Sequence, residues 1–100
     1  MPQTVPEGWS LADNVLFRAI TRADFVEALA LVVEIGRLAT AADHHPDIDI
    51  RYRTVQLSLS THSAGNTVTG RDFALAQQIN DLGEQDIRTI TDDLRRRFTA

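Results

Sequence analysis

All three histidines of this chain, His44, His45 and His62, fall within nineteen positions. Histidine is the side chain best suited to giving and taking protons near neutral pH, so this concentration is a candidate for general acid–base chemistry. The setting Asp43-His44-His45-Pro46 adds a local constraint. Proline stops a preceding helix and biases His45 toward extended backbone, so the two adjacent imidazoles leave the helix end in different, fixed directions. Two other readings compete with this one, one plain and one equally sharp. Histidines at a helix exit form a favourable polar cap, since cations are stabilised at the negative end of the macrodipole. A three-histidine metal site is the other, although adjacent histidines diverge and no acidic fourth ligand is evident.

Composition narrows the setting. One hundred residues make one domain with a single core. Hydrophobic residues at 43% and charged residues at 24% are ordinary for a globular chain. The net charge of −4 argues against direct nucleic-acid binding, which calls for a basic face. The one basic run, Arg95-Arg96-Arg97, follows Asp92-Asp93 and reads as a solvated helix end. Without cysteine there is no disulfide, thiol chemistry or cysteine-ligated zinc. No apolar run has the length of a membrane span, and MPQTVPEGWS lacks the basic and apolar regions of a signal peptide, so the expected compartment is the cytoplasm.

The elements that must position the histidines follow from periodicity. Residues 1–7, with two prolines, read as a loose lead-in. Two short apolar pieces between Trp9 and Ile20, split by the turn formers Asp13-Asn14, predict a hairpin. Thr21 to Asp24 has capping-box spacing, and Phe25, Leu29, Val32, Gly36 and Ala39, flanked by Ala28 and Ile35, mark a helix over about 22–42. Gly36 and Ala39 are small enough to let it lie close to a sheet. After Pro46 the pattern alternates through Ile48, Ile50 and Tyr52, then resumes out of step at Val55, Leu57 and Leu59. A two-residue turn at Arg53-Thr54 accounts for the slip. The second strand then delivers Thr61 and His62 beside the start of the first, near His44 and His45. Tyr52, on the same strand side as Ile48 and Ile50, is expected to pack. Ser63 to Gly70 is a loop by composition. Thr69 to Asp72 repeats the capping-box spacing before a helix carrying Phe73, Ala76 and Ile79 and ending near Leu82-Gly83. Asp72 is thus first a capping residue, with a possible second use in orienting a site residue. Ile87, Ile90, Leu94 and Phe98 mark a third helix or a kinked continuation. The order β-β-α-β-β-α-α predicts an α+β domain: a four-stranded antiparallel sheet of two hairpins with helices packed on one face.

Several of these stretches resemble one family. His44-His45-Pro46, Tyr52 six residues after the proline, the strand ending Leu57-Ser58-Leu59-Ser60-Thr61-His62, and Arg71-Asp72-Phe73-Ala74-Leu75-Ala76 are similar to the pterin-4a-carbinolamine dehydratases. The likeness runs from Gly8-Trp9 through Asp24-Phe25 to Ile79-Asn80. It implies a dehydratase-like domain over 8–82, with 83–100 as a C-terminal helical extension, assembled as a homodimer or a dimer of dimers. It implies loss of water from 4a-hydroxytetrahydropterin to give quinonoid dihydropterin, with a reduced pterin as the small-molecule partner and no metal or cofactor. On that resemblance His44 and His62 transfer protons, with His44, at the helix exit, a reasonable general acid. His45 contacts the pterin and could assist the chemistry, Pro46, Thr61 and Asp43 complete the binding site, and Asp72 supports it. Trp9 either walls the pocket or belongs to the core.

There are departures. The acidic residue usual four positions before the first histidine is Thr40 here. The loop from His62 to Asp72 is one residue longer, no helix precedes Gly8-Trp9, and the segment from Glu84 is longer. These keep a second reading open, a non-catalytic protein-binding or assembly module on the same fold.

Overall fold

The computed structural model describes residues 4–99. Of the lead-in expected over 1–7, residues 1–3 lie outside the described part. Val5 is half-buried against the core, and the Glu7 carbonyl accepts a 2.9 Å hydrogen bond from Asn80 Nδ2. The first hairpin pairs β1 (Ser10–Ala12) with β2 (Val15–Thr21), Ala12 facing Val15 across the expected Asp13-Asn14 turn. Both turn residues have positive φ, 53° and 60°. That is the type I′ geometry whose twist suits a hairpin, and Asp and Asn tolerate it better than other side chains.

β3 (Asp47–Arg51) and β4 (Thr54–Leu59) form the second hairpin, and the sheet is antiparallel in the order β1-β2-β4-β3. The turn is Tyr52-Arg53, not Arg53-Thr54: Arg51 faces Thr54 and Ile50 faces Val55. Moving the turn by one residue moves the pairing by two, so every side chain keeps its side of the sheet and the phase break fits both registers. Tyr52 is therefore not a packing residue. Its φ is 57° and it is 71% exposed. Positive φ only at the first turn position is the II′ pattern, which favours glycine there. Tyr52→Gly should raise the melting temperature, because relief of a left-handed L-residue gives back about 1–2 kcal/mol against about 0.5–1 kcal/mol of added chain entropy. A calorimetric scan checks it; an unchanged or lower value would mean the ring makes a contact that matters.

Helix α1 (Phe25–Ala42) starts one turn later than its spacing suggested. Thr21 is the last residue of β2, facing Thr54, and the cap is Asp24, whose Oδ1 accepts from the Glu27 N–H at 2.9 Å. The buried stripe is Ala28, Leu31, Ile35 and Ala39, about one position round from the expected one. Phe25 is exposed, Gly36 is only half-buried, and a Cβ built on Gly36 meets nothing within 4 Å, so the glycine is not there for a close approach. α1 lies against β4, and the core joins its stripe to Leu16, Val55, Leu57 and Leu59 of the sheet.

α2 (Gly70–Asn80) packs against α1 and β2, and α3 (Glu84–Thr99) is a separate helix laid on α1 rather than a continuation of α2. Ile87 enters the core from α3. The helix is also tied by charge: Arg22 bonds both oxygens of Glu84, at 2.9 and 2.8 Å, and Arg95 meets Asp24 at 2.6 Å. The bond from Arg22 holds Glu84 below the usual carboxylate range, and the Glu27 N–H with Arg95 does the same for Asp24. These ties are complete above the ordinary carboxylate range and are lost as pH falls through the depressed values. Trp9 is a core residue, its Nε1–H donating to Asn80 Oδ1 at 2.9 Å. Arg18 bonds the same oxygen.

Candidate active site

The chain leaves α1 through Asp43, which takes left-handed backbone (φ 50°, ψ 45°) and returns its N–H to Ala39 and Thr40. The next N–H, that of His44, donates to the Ala39 carbonyl at 3.0 Å. This double closure satisfies the last carbonyls of the helix and turns the His44 ring inward, where it is 8% exposed. Across the hairpin β4 ends at Leu59. Thr61 bridges to Thr67, and His62 opens a short 3₁₀ turn, His62–Ala64. Between these two ends lies an open cleft of about 390 Å³ lined by Asp43, His44, His45, Pro46, Asp47, Thr61, His62, Ser63 and Arg71. The expected juxtaposition is therefore present, with His45 and His62 exposed and His44 buried at its wall.

Asp72 organises that wall. It is 0% exposed: His44 Nε2 lies 2.5 Å from Oδ1, and Oδ2 accepts from the Thr61 hydroxyl at 2.7 Å and the Thr69 N–H at 2.8 Å. With the ring in the tautomer that carries its hydrogen on Nε2, His44 donates to Asp72 and Nδ1 is left without a hydrogen. A histidine whose far nitrogen is fixed by a buried carboxylate has its tautomer and ring plane chosen in advance. Thr69 passes its hydroxyl to Thr61 at 2.7 Å, and Thr61 passes its own on to Asp72. Thr61 thus lines the cleft with its hydroxyl bonded to Asp72. Among the described residues no three His, Cys, Asp or Glu side chains are gathered closely enough to hold a metal ion.

A smaller hollow of about 250 Å³ lies under α3, with Arg22, Glu27, Glu84, Arg88 and Arg95 on its walls. No histidine lines it, and Arg22 and Arg95 already have carboxylate partners. The histidine cleft is where proton chemistry can occur.

The sequence profile of the family described as pterin 4 alpha carbinolamine dehydratase matches residues 2–82. The chain belongs to that family. A Roseiflexus castenholzii protein provisionally named a pterin-4-alpha-carbinolamine dehydratase is 51% identical over 75 residues, which cover 75% of this chain and 80% of that protein. One of Nocardia farcinica with the same provisional name is 48% identical over 80 residues, 80% of this chain and 82% of its own. Among solved structures, a transcriptional coactivator/pterin dehydratase from Brucella melitensis gives a TM-score of 0.69 at 32% identity, over 74% of this chain and 80% of that one. A pterin dehydratase-like protein identified as a RuBisCO assembly factor in the alpha-carboxysome gives 0.58 at 15% identity, over 71% and 81%, a likeness of fold alone. The family match stops at residue 82, before α3 begins at Glu84. Within this pterin dehydratase family domain, no helix among the described residues is long and apolar enough to cross a membrane.

Sequence reasoning gave the cleft's histidines but undervalued two neighbours. Asp72 both caps α2 and contacts His44, and the second use, orienting a site residue, ranked below capping on spacing alone. Arg71 was passed over, yet its Nη2 donates to the Asp43 carbonyl at 2.7 Å and it lines the cleft. Thr40, which stands where an acidic residue was expected, is exposed. The carboxylate that meets His44 is that of Asp72 on α2.

Proposed function

We propose that the chain is a hydro-lyase that dehydrates 4a-hydroxytetrahydropterin to quinonoid dihydropterin, using His44 and His62 for proton transfer. The observation that carries this reading is a cleft shared by three histidines, one of which has its far nitrogen held by a buried carboxylate. The reaction breaks the C4a–O bond and the N5–H bond and forms the C4a=N5 double bond. One proton goes to the departing hydroxyl, which leaves as water, and one is taken from N5. His44, with Nε2–H given to Asp72 and Nδ1 bare, suits the base, and Asp72 stabilises the imidazolium that forms. This reverses the role that the macrodipole alone suggested. His62, exposed across the cleft, is the acid, and exchange with water resets both rings. His45 and Pro46 give the cleft its shape, with Asp43 at its rim. Family membership supports the substrate class, and provisional names of relatives at about half identity point the same way.

The test is the rate of quinonoid dihydropterin formation, followed by absorbance, for wild type and His62→Ala. Wild-type turnover above background, reduced about 10²- to 10⁴-fold by the substitution, is the expected result. Equal background rates would sink the enzyme and favour the protein-binding module.

A further inference from the structure

The peptide group that joins Asp43 to His44 is held on both of its polar atoms. Its N–H goes back into α1, to Ala39 at 3.0 Å, and its carbonyl accepts from Arg71 of α2 at 2.7 Å. The next residue of α2 is Asp72, which takes the ring of the same histidine at 2.5 Å. Arg71 has no carboxylate partner among the described residues, so its charge is spent on that carbonyl and on the cleft it lines. The peptide needs such a grip. Asp43 sits in left-handed backbone, which costs a non-glycine residue about 1–2 kcal/mol, and a rotation there would swing the His44 ring away from its carboxylate.

From this juxtaposition we infer that Arg71 is a positioning residue: it locks the backbone plane from which His44 projects, while its neighbour Asp72 locks the ring. Arg71-Asp72 acts as a two-point clamp carried by the first turn of α2. The inference rests on the dehydratase reading of the cleft, but the clamp itself can be read without turnover. A lysine has a single charged tip in place of a planar fork and only partly substitutes.

The experiment compares wild type, Arg71→Ala and Arg71→Lys in steady-state kinetics with 4a-hydroxytetrahydropterin and in amide exchange of His44. For Arg71→Ala, kcat should fall about 10- to 100-fold, as expected when a reacting group is displaced by a fraction of its length. KM should stay near the wild-type value, added guanidinium ion should restore part of the rate, and the His44 amide should exchange faster. Arg71→Lys should lie between the two, and it serves alone if the alanine variant does not fold. A raised KM at constant kcat overturns the proposal, because Arg71 would then be binding substrate directly. A lower melting temperature with unchanged kinetics also overturns it, leaving only a helix cap. If wild type shows no turnover, the functional reading fails by itself. His44 exchange then decides the clamp: faster in the variant supports it, unchanged refutes it.

Discussion

His44→Gln is expected to lower the dehydration rate about 10²- to 10⁴-fold while leaving most of the stability in place. Glutamine keeps an N–H₂ group that can reach Asp72, so the buried carboxylate retains a donor where Nε2 stood at 2.5 Å. What it lacks is a second nitrogen that can take and release a proton. His44→Ala removes both, and it strips a donor from a carboxylate with no access to water, which adds about 1–3 kcal/mol of instability. The two variants together separate chemistry from packing. Similar rate losses with a much larger drop in melting temperature for alanine would support the role given to His44; a Gln variant with near wild-type turnover would refute it.

The second large effect is at Asp72. Asp72→Ala leaves the His44 ring, the Thr61 hydroxyl and the Thr69 N–H without their acceptor, and each buried polar group left unpaired costs about 1–3 kcal/mol. A domain of this size has about 5–15 kcal/mol of stability in all. The melting temperature should therefore fall by more than roughly 10 °C. Asp72→Asn tells more about mechanism. Its shape is the same and one oxygen remains to accept, so the loss of stability should be smaller. Its amide nitrogen, however, donates, and a hydrogen bond to His44 would require the opposite ring tautomer, with Nδ1 protonated and no longer a base. The expected outcome is turnover reduced as far as in His44→Gln, accompanied by a change in the His44 ring nitrogen signals by NMR. An active Asp72→Asn enzyme would show that tautomer control is not what the carboxylate provides.

Much of the molecule could be read from residues alone because the signals are local. Asp13-Asn14 makes its turn with its own φ values and alternation fixes which side of each strand is buried, whereas α1 ends at the left-handed Asp43, three residues before the proline expected to stop it. The errors arose where two local answers obey the same rule. The turns at 52–53 and 53–54 preserve the same sidedness, so the hydrophobic pattern is blind to the choice. Thr21 and Asp24 are both good caps, each followed three residues later by an acid, and pairing of Thr21 with Thr54 in the sheet decided between them. At the site, adjacency in sequence identified His44 and His45, and strand direction brought His62 to them. Nothing local connects Asp72 to His44, 28 positions away, or Arg71 to the Asp43 carbonyl. Those contacts exist only because α2 is packed across the end of α1.

The placement of α3 bears on how this protein could be handled. It seats Ile87 in the shared core and fastens by charge to Arg22 and Asp24, although family likeness stops before it begins. A clone cropped where the family match ends, at residue 82, would bare a greasy flank on the very rod that carries His44 at its tip. The tail is therefore part of the scaffold.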